Sequence, residues 1–442
     1  MQKNDLIGSP QHHASQIRRE TNHECAQSQP CDDNDVISYS HEGERTVHDG
    51  RDPRPQTPTS LRAVVTFPPN STITKPSRLS ELLGCRHLPA LDGLRACAVF
   101  VVMAYHFGFS TIPGDLGVTA FFVLSGFLIT WLLLKEFDRS NTVSLRDFYM
   151  RRLLRIFPAY YVFLAVSLGF DHYRGDPRVH DLVLPGVTYL MNYYNALHGH
   201  PPTSIAHAWS LAIEEQFYLL WPALFLVLVR RPARQAVAVL VGLVTLFAAW
   251  RSFLFLTGRV TEAYAYNAFD TRADILALGC LLAFAARIER VGVWCGRLTA
   301  SSALPLITAG LLILSRTRGS RDYHYSVGFT IDALLVAILI VQILLLHDRR
   351  LWRWLDHPVL RYLGAISYPL YLYHIWGFGL ARKLVPAGPI LARAAAAVVA
   401  SIILASLSYY AVERPFMRLK ARFSTNGATR GVRSWRAAVA PP

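Results

Sequence analysis

The 442-residue sequence has few cysteines and none of the short motifs that mark common soluble enzymes. Its six cysteines show no CxxC spacing, so neither a disulfide framework nor a zinc site is predicted, and we expect no metal ion. The sequence contains no P-loop, no GxGxxG turn, no HExxH helix and no GxSxG elbow. These absences argue against P-loop nucleotidases, zinc hydrolases and α/β serine hydrolases.

Charged residues are also scarce, at 17% of the chain, and the apolar residues gather into long blocks. Blocks of about 17 to 25 apolar residues have the length that crosses a hydrocarbon core. We therefore predict an all-α, polytopic membrane protein with about ten transmembrane helices. The predicted spans are 90–109, 116–134, 156–172, 208–229, 235–256, 273–287, 299–315, 325–346, 362–380 and 388–410.

The two ends of the chain differ from this membrane domain. Residues 1–85 are polar, mixed in charge and without periodicity, so we predict a disordered cytoplasmic tail. No apolar h-region occurs in the first thirty or so residues, and a signal peptide is not expected. The membrane domain is predicted for 86–420, followed by a basic cytoplasmic tail at 421–442.

Lys and Arg are distributed unequally between the loops. They cluster in the loops around 135–155, 230–234, 287–297 and 349–361, which predicts that these loops and both termini are cytoplasmic. The net charge of +15 is then mostly this positive-inside bias at the lipid bilayer. No nucleic-acid partner is needed to explain it.

Arg95 and His106 interrupt the first apolar block, LDGLRACAVFVVMAYHFGF. Ionisable side chains carry a free-energy cost inside the membrane, and those that occur there usually take part in catalysis or line a polar pathway. Eleven helical positions bring His106 to within about 20° of Arg95 and about 16 Å further along. We expect both side chains on one wall of a polar cavity, with His106 as a general base; a structural histidine between helices is the alternative.

A polar stripe follows one face of the predicted helix in HAWSLAIEEQFY, formed by His207, Ser210, Glu214 and Tyr218. These four positions fall within about 80° of arc, so they point together into the bundle. Glu214 is the better candidate to hold and polarise His106, with Glu215 as the alternative. A carboxylate bonded to helix ends as scaffold explains the same residues.

The basic cluster RRLLR precedes the third span. One helical turn separates Arg151 from Arg155, and nearly the same distance separates Arg152 from Arg155, so guanidinium groups can converge on a phosphate-rich ligand. Anchoring to anionic lipid is the alternative explanation.

The sequence also contains an ordered series of short blocks that resemble those of a known protein family. LDGLRACAVFVVMAYHFG, GVTAFFVLSGFLIT, FYMRRLLRIFPAYY, HAWSLAIEEQFYLLWP, DTRADILALGCLLA, ISYPLYLYHIW and VERPF together resemble acyltransferase family 3 of integral membrane O-acyltransferases. The resemblance runs from about 88 to about 420. It implies transfer of an acyl group, expected to be acetyl, from cytoplasmic acyl-CoA to a hydroxyl group. The acceptor is expected to be a glycan, a glycolipid or a glycosylated small molecule. The resemblance also implies a location in the bacterial inner membrane and no resident cofactor.

The resemblance also assigns roles to residues. It implies His106 and Arg95 as the family's catalytic pair, assisted by Glu214 or Glu215, and it matches an RxxR pattern at Arg152 and Arg155 to CoA binding, with Arg151 beside them. The expected acceptor-side residues are His207, Ser210, Tyr218, Arg272 and Asp274, the last two from DTRAD. We expect direct transfer, with a covalent acyl-histidine intermediate as the alternative.

Ser125, Ser367, Tyr368, His374 and Glu413 are lesser candidates. Ser125 is read as a small residue for helix contact rather than a nucleophile, and Glu413 as a helix-end cap. The alternative function is a secondary transporter or flippase for a sugar-containing substrate, which predicts inverted repeats. A scaffolding protein is disfavoured, since a scaffold does not need ionisable residues inside apolar helices.

Overall fold

The computed structural model describes residues 78–85 and 87–420, and these residues form helices and contain no strand. Residues 78–84, which the sequence analysis places in the N-terminal tail, form a helix in the structure. The rest of that predicted tail up to residue 77, and the predicted tail at 421–442, lie outside the described residues.

The α-helices are numbered in chain order. They are α1 (Arg78–Gly84), α2 (Pro89–His106), α3 (Gly114–Ser140), α4 (Leu145–Tyr173), α5 (Val179–Val187), α6 (Met191–His198), α7 (Trp209–Val229), α8 (Ala233–Leu256), α9 (Glu262–Asn267), α10 (Ala273–Ala285), α11 (Glu289–Arg297), α12 (Leu304–Arg318), α13 (Arg321–Tyr323), α14 (Phe329–Leu346), α15 (Pro358–Ala365), α16 (Ser367–Leu384), α17 (Ile390–Ser408) and α18 (Arg414–Lys420). Single 3₁₀ turns occur at Ala206–Ala208, Phe269–Thr271 and Arg353–Asp356, and π turns at His324–Gly328 and Tyr409–Glu413.

Six helices of the described part are long and apolar enough to cross a membrane. They are Gly114–Ser140, Leu145–Tyr173, Ala206–Val229, Ala233–Leu256, Arg321–Leu346 and Ile390–Leu419. Backbone polar groups have no water to bond in a bilayer, which is why apolar runs of this length form helices.

The predicted count of about ten spans is not confirmed. The other four predicted segments correspond to the helices α2, α10, α12 and α16, which either carry ionisable side chains or are short. Helix α10 has 13 residues and α12 has 15. Helices α2 and α16 have 18 residues each, but they include ionisable side chains such as Asp92 and Arg95 in α2 and Arg382 and Lys383 in α16.

Helices α3 and α10 approach each other very closely at two glycines. A Cβ atom on Gly126 would overlap the carbonyl oxygen of Leu276, and one on Gly279 would overlap that of Val123. Small residues at such a crossing let two backbones touch. The close contact with α10 is made at Gly126, the residue after Ser125, and the crossing fixes the middle of α3 beside the site.

The short helix α1 is fastened to the C-terminal half of α3. Trp131 Nε1 donates a hydrogen bond to the carbonyl oxygen of Leu83 at 2.9 Å, and Lys135 Nζ donates to that of Cys85 at 2.6 Å. The first bond is to a carbonyl group in the last turn of α1, and the second is to the residue that follows the helix. The chain therefore enters the bundle at a fixed place, just before α2 begins.

Candidate active site

A cavity of about 420 Å³ lies between α2, α3, α4, α7 and α16. Three arginines and three glutamates are among the side chains that line it: Arg95, Arg152, Arg155, Glu214, Glu215 and Glu413. Guanidinium groups in such a cavity can bind phosphate or carboxylate through paired hydrogen bonds. The carboxylates bring opposite charge into the same cavity, which reduces the cost of partly burying three cations.

Helix α7 contributes the most polar wall of this cavity. Glu214 Oε1 accepts a hydrogen bond from Ser125 Oγ at 2.8 Å, which ties α7 to the middle of α3. One turn further along α7, the Tyr218 ring lies 4.2 Å from the guanidinium carbon of Arg152. Of the four residues in the predicted stripe, Ser210, Glu214 and Tyr218 line the cavity and His207 does not; Glu215 lines it as well.

The arginines at the start of α4 separate into two environments. Arg152 and Arg155 line the cavity, as their spacing predicts. Arg151 instead forms an ion pair with Glu136 at 2.7 Å, and Glu136 also accepts a hydrogen bond from the Ser144 backbone amide. Arg151 and Arg155 lie only about 40° apart around α4, so helical phase alone does not distinguish them. The ion pair with Glu136 is what holds Arg151 away from the cavity that Arg152 and Arg155 line.

Three histidines meet at the far end of α2. His106 Nδ1 lies 3.0 Å from the carbonyl oxygen of Val102 and 3.2 Å from His374 Nε2. The ring of His374 also lies beside that of His207, with their centroids 5.0 Å apart. No group of three His, Cys, Asp or Glu side chains in the described part of the chain is arranged to hold a metal ion.

A pair of hydroxyl groups separates the cavity from these histidines. Ser210 Oγ lies 2.7 Å from Tyr371 Oη, and both residues line the cavity. Tyr371 donates to the carbonyl oxygen of His207 at 3.1 Å and precedes His374 by one turn of α16. The histidine cluster therefore lies directly beyond the Ser210 and Tyr371 pair.

The prediction that Arg95 and His106 share a cavity wall is only partly correct. Arg95 lines the cavity, whereas His106, three turns along α2, lies in the histidine cluster beyond it. The predicted contact between Glu214 and His106 is also wrong, because Glu214 is bonded to Ser125 and His106 to His374. Helical phase gives the direction of a side chain, but not its height against a neighbouring helix.

The two residues of the DTRAD motif have different surroundings. Asp274 is fully buried and forms an ion pair with Arg251 at 2.9 Å. Arg272 is fully buried among the aromatic rings of Phe122, Trp209, Tyr266 and Phe329. Its three guanidinium nitrogens have no hydrogen-bond partner among the described residues. Burial raises the pKa of the Tyr266 phenol, which therefore stays neutral beside the guanidinium.

Sequence reasoning missed Tyr371 and Arg251, and it gave Glu413 a different role. A charge in the middle of LFAAWRSFLF was a visible signal for Arg251. Tyr371 lies among many tyrosines in ISYPLYLYH, and nothing in the pattern singles it out. Glu413 is buried and lines the cavity rather than capping a helix end.

Comparison with known proteins agrees with the resemblance read from the sequence. The family described as "Acyltransferase domain" matches residues 88–410. The chain is 32% identical over 355 residues to peptidoglycan O-acetyltransferase OatA of Listeria monocytogenes, covering 75% of this chain and 56% of that protein. It is 32% identical to the putative peptidoglycan O-acetyltransferase YrhL of Bacillus subtilis, covering 75% and 55%.

A third relative is O-acetyltransferase OatA of Staphylococcus aureus, 31% identical over 67% of this chain and 51% of that protein. The chain thus spans about half the length of the curated relatives it matches. No solved structure matches it significantly.

Proposed function

The chain belongs to acyltransferase family 3, and from that premise we propose that it transfers an acetyl group from acetyl-CoA to a hydroxyl group of a glycan. The acceptor class is proposed from the relatives, whose names specify peptidoglycan or O-acetylation. The observation that carries the proposal is a cavity with three arginines that ends at a hydroxyl pair beside a histidine cluster.

The cavity is assigned to the donor. Arg152 and Arg155 are one turn apart on α4, and Arg95 faces the same space from α2, so phosphate groups of CoA can be bound by several guanidinium groups at once. The thioester then extends toward Ser210 and Tyr371, the lining residues nearest to the histidines.

His106 is assigned as the general base. The acceptor oxygen attacks the carbonyl carbon of the thioester while His106 accepts the hydroxyl proton. The new C–O bond forms, the C–S bond breaks, and the thiolate of CoA takes up a proton to leave as the thiol. We assign Arg272 to the acceptor side, because its guanidinium nitrogens have no hydrogen-bond partner among the described residues. Asp274 instead forms the ion pair with Arg251 and is not assigned to the acceptor.

We assign the donor cavity to the cytoplasmic side of a bacterial inner membrane, with both termini cytoplasmic. The basic loop that leads into α4 supports this orientation. Single-cysteine labelling with an impermeant maleimide in intact cells should modify a residue placed within 173–205 and spare one placed within 139–151. The reverse pattern would overturn the orientation and the donor side with it.

The activity itself is tested with the full chain in phospholipid vesicles. Radiolabelled acetyl-CoA and a soluble peptidoglycan fragment are supplied, and the expected product is a base-labile radioactive ester on the fragment. His106→Gln, which keeps the length and fold of α2, is the matched inactive control. Folded wild-type protein that hydrolyses no acetyl-CoA and labels no glycan would contradict the proposal.

A further inference from the structure

The hydrogen bonds of His374 determine which of its ring nitrogens carries a proton. Nδ1 lies 2.7 Å from the carbonyl oxygen of Tyr371. A carbonyl oxygen only accepts, so Nδ1 must be the N–H donor. His374 is fully buried, and an imidazolium without a counter-charge would be costly there. The ring is therefore neutral, and its Nε2 bears a lone pair.

The same reasoning fixes His106. Its Nδ1 lies 3.0 Å from the carbonyl oxygen of Val102, so this nitrogen also carries a proton. That proton is shared with the lone pair of His374 Nε2 at 3.2 Å. Neutral His106 is thereby held in the tautomer whose Nε2 is free of hydrogen, which is the form that can accept a proton from a hydroxyl group.

We propose that His374 is the positioning residue of the base, in the place that the sequence analysis gave to Glu214. When His106 takes the hydroxyl proton, the imidazolium donates its Nδ1–H to His374 Nε2 and to Val102 O, which spreads the new charge over two acceptors. This arrangement follows the logic of a base oriented by a third group, with a neutral imidazole in place of a carboxylate. The inference rests on the proposed role of His106.

The other polar side chains near His106 bond to different partners, so His374 is the side chain that accepts its Nδ1–H. Glu214 is bonded to Ser125 and lines the cavity on the other side of the hydroxyl pair. His207, the third imidazole, uses Nε2 to donate to the carbonyl oxygen of Leu372 at 3.1 Å. A neutral acceptor also suits the site, because a buried carboxylate beside neutral His106 would need its own partner before the reaction begins.

The test compares two replacements of similar size. His374→Gln keeps an oxygen acceptor at about the reach of Nε2, whereas His374→Leu fills the space without an acceptor. We expect kcat for glycan acetylation to fall about 10- to 100-fold in the leucine variant, the range for losing a hydrogen bond to a charged group. The KM for acetyl-CoA should stay unchanged, and the glutamine variant should recover most of the rate.

A matched control is available on α6. His198 Nδ1 is bonded to the carbonyl oxygen of Tyr194, four residues earlier, but this imidazole is exposed. His198→Leu should leave both constants unchanged. If His374 only fills space, leucine will be tolerated at least as well as glutamine, and the inference is wrong. Lack of transfer by the wild-type protein would instead contradict the proposed function, so the two failures are distinguishable.

Discussion

Replacing Asp274 by asparagine should destabilise the fold rather than weaken substrate binding. Asp274 and Arg251 are both fully buried, and Arg251 Nη1 donates to both carboxylate oxygens at 2.9 Å. Asn keeps the shape of the side chain and removes its charge. The guanidinium is then left in the interior without a counter-charge, and breaking a buried pair in this way costs about 3–5 kcal/mol.

The structure places the expected cost at the lower end of that range. Arg251 keeps three other acceptors, since it donates to the carbonyl oxygens of Ser326 and Thr271 at 2.7 Å and to Thr330 Oγ1 at 2.6 Å. The substitution removes the counter-charge and one of the two acceptor oxygens of Asp274, whereas these three bonds of Arg251 remain, so we expect about 3 kcal/mol. Denaturation by SDS in mixed micelles, followed by circular dichroism, measures this difference in the free energy of unfolding.

Two further variants control the experiment. Asp138→Asn breaks an exposed pair with Arg287 and should cost less than about 1 kcal/mol. Replacing the buried pair together, as Arg251→Met with Asp274→Leu, should restore much of the lost stability, because apolar substitutes avoid the desolvation penalty. An Asp274→Asn protein that unfolds like the wild type but shows a raised KM for the glycan would refute the reasoning, and it would return Asp274 to the acceptor site.

Three other predictions concern the reaction. Replacing both Arg152 and Arg155 by lysine keeps the charge but removes the guanidinium fork, so the KM for acetyl-CoA should rise while the KM for the glycan is unchanged. If the double variant and the wild type have the same KM for acetyl-CoA, the two arginines only anchor the protein to lipid. His106→Gln should lower kcat about 10²- to 10⁴-fold at normal expression, and substantial transfer by it would exclude the base assignment. Ser125→Ala and Glu214→Gln should each slow acetyl transfer. In a double-mutant cycle the two losses of rate should not add, because the two side chains share one hydrogen bond. Additive losses would mean that the two residues act separately.

Local sequence pattern predicted the long apolar helices and many of the polar residues of the site. The helix that carries Arg95 and His106 is present as α2, and three of the four residues of the predicted stripe, Ser210, Glu214 and Tyr218, line one cavity. Both predictions depend only on the 3.6-residue period, which is a property of one segment. The pattern works where the relevant distances lie within a single helix.

Contacts between helices could not be predicted in the same way. His106 and His374 are 268 positions apart, and Ser125 and Glu214 are 89 apart. Whether the members of each pair come into contact depends on how far neighbouring helices are shifted along their axes relative to each other. Here that shift is set by features such as the crossing of α3 and α10 at two glycines. The sequence therefore indicates His374 only as a lesser candidate. It pairs His106 with Glu214, because Glu214 lies in the polar stripe and a buried carboxylate needs an imidazole or guanidinium partner.

Glu413 illustrates a second kind of error, in which a correct local rule is applied at the wrong place. Ionisable residues after an apolar run usually mark the end of a membrane helix, and this rule predicts that Glu413 caps a helix end. In the structure the helix does not end there, because the π turn Tyr409–Glu413 continues into α18 and the long helix reaches Leu419. The carboxylate is consequently buried, with Oε1 unpartnered among the described residues, and it lines the cavity with Arg95 and Arg155. A π turn widens the helix by one residue and is frequent at functional sites, so it can direct a carboxylate inward where a regular helix end would leave it in water.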